Sequence, residues 1–337
     1  MTQITAQLFR ELVAEARLAP SIHNIQPTRW RLAGGNCIQL VDDLTVRAPI
    51  ADPAGHDVRV SHGAALEGMS LALGRRGLSI GALAVAEERL SQDHAVLCSL
   101  TVDETGDKDA LADSVLARMS WRGSFVTQHD DDRGFDSVVE AHRDVVCIRD
   151  RSRIAEIAAL GDEADLFFLR KPEYRHELVQ WMRFSPSHPR YDHDGLNRDA
   201  LALAAAEGFA AKLVLGPLFA PLDQLHLARA LISDRHKTAS AAGLVLFVRP
   251  RDEDPLLTGR HFYRLWLAID RAGFAACPIS ALADHADINR RLCELAAVDR
   301  TGHRLVNIFR VGRPATSHRP LRHFRWPVDS LIVQPVP

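Results

Sequence analysis

Residues 10–27 read RELVAEARLAPSIHNIQP, and a partial copy, HELVQWMRFSPS, occupies residues 176–187. Glu11/Glu177, Leu12/Leu178, Val13/Val179, Arg17/Arg183, Pro20/Pro186 and Ser21/Ser187 recur at one constant spacing. A second set, Gly63/Gly259, Leu71/Leu267, Ala72/Ala268 and Gly77/Gly273, recurs at a wider spacing. Two matches in the same order point to an internal duplication in which the second half carries an insertion between its matched segments. Two copies are too few for a solenoid. They read better as one chain imitating a homodimer about a pseudo-two-fold axis. The expected halves are residues 1–116 and 117–337.

Working outward, Leu8, Leu12, Val13 and Ala16 recur at helical spacing and Pro20 stops the run. Apolar runs predict strands at 30–32, 38–41, 95–102, 145–148, 244–248 and 305–311. Helical patterns fall at 63–76, 108–117, 136–142, 152–164, 172–183, 256–272 and 284–296. Helices alternate irregularly with few strands, which favours an α+β class over a doubly wound sheet. Each half is expected to be a small, mainly antiparallel sheet packed by helices. Residues 192–242 read as an insertion with helical stretches at 198–207 and 222–232. The Gly- and Pro-containing run 213–221 would be the hinge of a lid.

The 337 residues are enough for roughly two domains. With 47% hydrophobic and 25% charged residues the chain is an ordinary globular mixture. Lys and Arg number 41 against 43 Asp and Glu, a net charge of −2, so no bulk positive field signals nucleic acid or an anionic membrane. The five cysteines, Cys37, Cys98, Cys147, Cys277 and Cys293, form no CxxC pair. That argues against a disulfide framework or a structural zinc site and suits a reducing cytoplasm. The N-terminal residues carry acidic side chains and lack an apolar core, so no signal peptide is expected. The most apolar stretch, 209–222, is short and broken by Lys212, Gly216 and Pro217, so no membrane span is expected.

Several chemistries are unsupported. There is no GxGxxG and no GxxxxGK[ST]. His176-Glu177 lacks the second histidine of HExxH, and no histidine spacing argues for a metal. Gly77-Leu78-Ser79-Ile80-Gly81 fits GxSxG, but it follows a helix and opens a strand, the reverse of a nucleophile elbow. No catalytic acid, base or nucleophile stands out.

Two segments do carry chemistry. Ala19-Pro20-Ser21-Ile22-His23-Asn24-Ile25-Gln26-Pro27 ends a helix in short polar side chains between two prolines, a rigid turn with exposed hydrogen-bonding groups. Arg118-Met119-Ser120-Trp121-Arg122 sets two arginines around a hydroxyl at alternating positions near a helix end. Two guanidinium forks and a serine suit a phosphate, which needs convergent donors and positive charge.

Together these segments resemble the nitroreductase family of flavin enzymes. Its pattern includes an Arg-x-Ser-x-Arg-like motif, an APSxxNxQP motif, a Gly-Ala-rich helix similar to Gly63-Ala64-Ala65-Leu66, a Pro-Ile turn similar to Pro278-Ile279-Ser280-Ala281, and a strand ending like Arg310-Val311-Gly312-Arg313. The doubled length and motif order are most similar to the acg-type subgroup. Two departures are Met119, where many members have Arg or His, and Thr28-Arg29 standing between Pro27 and Trp30.

The resemblance implies FMN as cofactor. It implies that Arg118, Ser120 and Arg122 bind its phosphate, and that Pro20, Ser21 and Asn24 reach the flavin from the other half. Pro278, Ile279, Ser280 and Ala281 would lie along the isoalloxazine and offer a backbone N–H to N5. The closing basic segment would bring a further cation to the phosphate. Arg325 is favoured for that role, with Arg322 and Arg319 as alternatives. It further implies hydride transfer from NADH or NADPH to nitroaromatic or quinone-like acceptors, with the cofactor carrying the chemistry. The rival reading is a flavin-sequestering protein with little turnover, its lid closed over the cofactor. One chain would complete one site, so a pseudo-dimeric monomer suffices.

Overall fold

The computed structural model describes residues 3–126, 128, 130–142, 144–315 and 322–334. Arg319, weighed above for the phosphate, lies outside the described residues.

The first half begins with α1 (Ala6–Ala16), whose first turn is capped by the Thr5 hydroxyl accepting the Leu8 N–H at 3.2 Å. Its apolar stripe, Phe9, Leu12, Val13 and Ala16, is buried. There follow β1 (Thr28–Gly34), β2 (Cys37–Asp43), α2 (His56–Gly74), β3 (Ser79–Arg89) and β4 (His94–Asp103). The strands form an antiparallel sheet in the order β1-β2-β4-β3.

The second half runs β5 (Phe125–Val126), α3 (Asp131–Ala141), β6 (Val145–Ile148), and resumes much later with β9 (Gly243–Pro250), α10 (Pro255–Arg271), β10 (Ala275–Pro278), α11 (Ala281–Asp284), α12 (Ala286–Leu295) and β11 (His303–Pro314). Between β6 and β9 lie α4 (Arg151–Leu169), α5 (Pro172–Trp181), β7 (Met182–Arg183), β8 (Leu196–Asn197), α6 (Ala205–Leu215), α7 (Phe219–Gln224), α8 (Ala228–Ile232) and α9 (Arg235–Ala239). Its antiparallel sheet has the order β10-β11-β9-β6, with β5 pairing the end of β11. The fold is therefore α+β, with two small antiparallel sheets each packed by helices.

Read in chain order, β6-β9-β11-β10 repeats β1-β2-β4-β3, and α10 stands where α2 stands. The two central helices cross at Gly63 and Gly259. A Cβ on Gly63 would collide with the Leu256 carbonyl and lie 2.9 Å from the Gly259 Cα, and one on Gly259 would collide with the Val60 carbonyl. Only glycine permits this approach. Both helices are followed by glycines in the left-handed region, Gly77 at φ 70° and Gly273 at φ 83°, which turn the chain into β3 and β10.

Several expectations need correction. By position the counterpart of α1 is α3, not α5, so the likeness between residues 10–21 and 176–187 does not mark equivalent elements. The interruption of the second half spans the whole stretch from β6 to β9 and begins well before residue 192. The helix expected at 108–117 is a single 3-10 turn, Ala110–Ser114. Residues 198–202 form turns and 203–204 are irregular, so the helix starts only at Ala205, and 222–232 is divided between α7 and α8. His226, at φ 58°, interrupts that stretch.

The C-terminal run returns to the first half. Ile332 lies alongside Trp30, and the Val333 N–H donates to the Trp30 carbonyl at 2.8 Å. This brings residues 322–326 against the end of α1. Among the described residues no helix is long and apolar enough to cross a membrane.

Candidate functional site

A cavity of about 420 Å³ opens where the two halves and the interrupting segment meet. Its wall takes residues 20–24 after α1, Asp57, Val60, Ser61 and Ala64 from α2, and Arg118, Met119, Ser120 and Arg122. Residues 195–196 and 199–200, Phe262 and Trp266 of α10, Pro278, Ser280, Val306, Asn307 and residues 322–325 complete it.

The turn is held in unusual backbone geometry. His23, Asn24 and Gln26 have φ values of 42°, 57° and 55°, the left-handed region that costs non-glycine residues energy. Asparagine tolerates it best. The strain is offset by pins. Ser21 Oγ accepts the Gln26 N–H at 3.0 Å, and the Ile22 N–H donates to Ser61 Oγ of α2 at 3.1 Å. Asn24 Nδ2 donates to the Phe324 and Gly195 carbonyls at 3.0 and 3.2 Å, while its Oδ1 accepts from Arg325 Nη1 at 2.8 Å. Asn24 thus fastens the turn to the C-terminal run and to the interrupting segment.

Residues 118–122 are extended rather than helical. Ser120 pairs in parallel with Ala276 of β10, and the Trp121 N–H donates to the Ala276 carbonyl at 2.9 Å. Alternation in extended chain groups 118, 120 and 122 on one side. Arg118 sits in the interior rather than in a solvated cleft. It is 2% exposed, stacked over Trp266 at 4.5 Å and Tyr263 at 5.5 Å. Its Nη2 donates to the Leu18 carbonyl at 2.8 Å, and among the described residues its Nε has no hydrogen-bond acceptor. Arg325 donates to the Arg17, Leu18 and Ala19 carbonyls at 2.8, 3.2 and 3.2 Å. These are the carbonyls at and beyond the end of α1, where the helix dipole is negative. Arg122 Nη1 donates to the Ala200 carbonyl at 2.9 Å. Among the described residues no carboxylate lies within ion-pair distance of Arg118, Arg122 or Arg325.

Protonation follows this crowding. Burial, and then the charge of Arg118, pull the Arg325 guanidinium down to about 9. Burial also lowers Arg118. Burial and then Arg122 push the His23 imidazole down to about 4, so it is neutral at pH 7. Burial and then Asp52 raise the Asp57 carboxyl to about 6.

Ten of the twelve described residues singled out from sequence line the cavity: Pro20, Ser21, Asn24, Arg118, Ser120, Arg122, Pro278, Ser280, Arg322 and Arg325. Ile279 and Ala281 pack against the second half's core instead. The Ile279 N–H is already committed to the Ile308 carbonyl at 2.7 Å, so it is not a free donor. Arg322 is exposed at the mouth and paired with Asp192 at 2.6 Å. Sequence reasoning missed His23, although it lies inside the quoted turn, and missed Asp57 and Trp266, which no local motif marks. Among the described residues no group of three or more His, Cys, Asp or Glu side chains is placed to hold a metal ion.

No protein-family model matches the chain, and neither does any curated protein sequence. Solved nitroreductase structures are similar to it. A candidate nitroreductase from Anabaena variabilis is 9% identical, with 91% of this chain and 88% of that one covered and a TM-score of 0.48. A nitroreductase with bound FMN from Bacteroides fragilis is 14% identical over 63% of this chain and 91% of its own, with a TM-score of 0.36. The FMN-dependent nitroreductase NfnB from Mycobacterium smegmatis, in complex with NADPH, is 17% identical over 61% and 88%, with a TM-score of 0.34.

Proposed function

We propose that this chain is an FMN-dependent oxidoreductase that accepts hydride from NADH or NADPH and reduces nitroaromatic or quinone-like acceptors. The observation that carries the reading is the Arg118–Arg325 pair at the cavity wall. Two guanidinium groups share one carbonyl, have no carboxylate within ion-pair distance among the described residues, and leave a buried Nε without an acceptor. Enclosing like charges is costly unless an anion completes them. A phosphate monoester supplies that anion, and the volume suits an organic cofactor. The residues present therefore fit FMN.

In this reading Arg118, Ser120, Arg122 and Arg325 hold the phosphate. Trp266 and Phe262 give an apolar wall that excludes water, and Pro278 and Ser280 border the ring. The N–H offered to the ring falls to Ser280, since that of Ile279 is committed and Ala281 does not line the cavity. When bound, FMN supplies two-electron redox chemistry. The protein's share is positive charge placed where negative charge develops. His23, neutral at pH 7, adds hydrogen-bonding capacity without further charge. Residues 1–116 and 117–337 would be the two halves, one chain would hold a complete site, and the thiol usage fits the cytoplasm.

A second reading, flavin sequestration, is favoured by the way the interrupting segment closes the site. Asn24 is bonded to the Gly195 carbonyl, Gln26 Nε2 to the His193 carbonyl at 2.7 Å, and Arg122 to the Ala200 carbonyl. The test is the visible spectrum of the purified protein with NADH or NADPH added, with and without oxygen. Flavin bleached rapidly and reoxidised by a nitroaromatic or quinone supports the enzyme. Flavin that stays oxidised under both nucleotides supports sequestration. Absence of any flavin after FMN reconstitution defeats both.

A further inference from the structure

Among the described residues the cavity wall carries four carboxyl or imidazole groups: His23, Asp57, Asp199 and His323. Asp199 is paired with Arg198 at 3.3 Å, and His323 Nε2 is bonded to the Leu116 carbonyl at 2.8 Å. His23, pushed down to about 4 by burial and then by Arg122, has already lost its acid proton at pH 7. Asp57 differs from all three. Its carboxyl makes no hydrogen bond or ion pair with any described residue.

The start of α2 explains why it is left open. Gly55, at φ 67°, precedes the helix and has no side chain to cap it. Asp52 supplies the cap instead, its Oδ2 accepting the Val58 N–H at 2.8 Å. One carboxylate thus takes the positive end of the helix, and Asp57 in the same first turn meets that carboxylate's charge. Burial and then Asp52 raise Asp57 to about 6, so near neutrality a fraction of it still carries a proton.

Its surroundings place Asp57 in the cavity. The charges that act on it are Asp52 before α2 and Arg304 of β11, not Arg118, Arg122 or Arg325. Its own charge reaches Asp284 at the end of α11 and the Tyr174 hydroxyl of α5. The Asp284 N–H donates to the Ser280 carbonyl at 2.9 Å, which ties this group to the Pro278–Ser280 turn. With the arginines on the phosphate and Pro278 and Ser280 bordering the ring, Asp57 stands on the ring side.

We infer that Asp57 is the acid that protonates the electron acceptor, an assignment that rests on the FMN reading above. Turning a quinone into a hydroquinone adds one hydride and one proton. The hydride, drawn ultimately from the dihydronicotinamide, brings both electrons and makes the first O–H bond. The proton passes from the Asp57 carboxyl to the second oxygen, one O–H bond breaking as the other forms. The carboxylate left behind regains a proton from water.

The test mixes FMN-loaded protein, reduced by dithionite without oxygen, with a water-soluble benzoquinone and follows the return of flavin absorbance. The wild-type rate should fall as pH rises through about 6. Asp57→Asn should be slower by about a hundredfold, with that pH step gone, and Asp57→Glu should restore both. Without any cofactor, infrared difference spectra between wild type and Asp57→Asn should contain a protonated-carboxyl band that fades over the same pH range. Should Asp57→Asn fail to fold, wild-type reoxidation in heavy water decides, and it must be slower than in light water. Reoxidation that ignores pH, the substitution or the solvent isotope overturns this assignment and leaves the FMN reading intact, as does a missing carboxyl band. A chain that takes up no FMN overturns both.

Discussion

Arg118 and Arg325, far apart in the chain, donate to the same acceptor, the Leu18 carbonyl, at 2.8 and 3.2 Å. Leu18 lies just past the end of α1, so one residue at a helix terminus organises both cations. Truncating either to alanine should weaken FMN binding by roughly ten- to a hundredfold, the worth of a charge-assisted contact. Arg118 and Arg122 should differ in a second readout. Arg118→Ala also removes a buried group stacked on Trp266 and should lower the urea midpoint, whereas Arg122→Ala should leave it nearly unchanged. Fluorescence titration with FMN beside urea unfolding checks this. Unaltered FMN affinity in the Arg118/Arg122 double variant refutes the phosphate assignment.

Asn24 offers a separation of backbone from side-chain effects. Asn24→Ala loses three hydrogen bonds and puts at φ 57° a residue that tolerates the left-handed region less well than asparagine, and should cost about 2 kcal/mol or more of stability. Asn24→Gly keeps the backbone conformation and should recover part of that loss. It should still bind FMN weakly, because Arg325 loses its Oδ1 partner. Equal stability of the two variants would show that the turn is not strained.

Asp57 sets a pH dependence. In the unfolded chain its carboxyl titrates near ~4, and in the folded protein at about 6. A raised carboxyl holds its proton more tightly when folded. Its contribution to stability is therefore complete below the unfolded value and is lost as pH rises through about 6. Urea unfolding at about pH 5 and about pH 8 should show a larger loss for the wild type than for Asp57→Asn. Parallel losses in the two proteins would mean that Asp57 is not the group responsible.

The pseudo-symmetric position argues for one FMN per chain. Glu67 on α2 stands, at the spacing of Gly63 and Gly259, where α10 has Tyr263 beneath Arg118. Glu67 is buried and already paired with Arg260 at 2.8 Å and Arg264 at 2.7 Å. A carboxylate in place of a ring repels a phosphate and consumes the nearby cations. Titration of apo-protein should saturate at one equivalent, and two tight equivalents would show that the halves kept both sites.

What could be read in advance follows the range of each interaction. Gly63 and Gly259 were visible because close helix crossing demands a residue type, and the same holds for Gly77 and Gly273 past the helix ends. Apolar runs placed most strands within a few residues. The likeness of residues 176–187 to residues 10–21 misled because an amphipathic helix followed by Pro-Ser is a common local solution that many positions adopt. Arg118 read as lying near a helix end, and its burial was not legible, since nothing near it in sequence reveals Trp266 or the Leu18 carbonyl. His23 stood in plain view, but its left-handed backbone and neutral ring depend on Arg122 and on the enclosing wall.

The crossing of α2 and α10 at Gly63 and Gly259 also changes how the cavity responds to dilution. When two separate subunits share a cavity, its integrity depends on protein concentration, and thinning the solution dismantles it. Here the facing surfaces are tethered by covalent chain, so their encounter is unimolecular at a fixed effective concentration. The cavity should persist at the scarcest expression level, and losing it requires unfolding rather than dissociation.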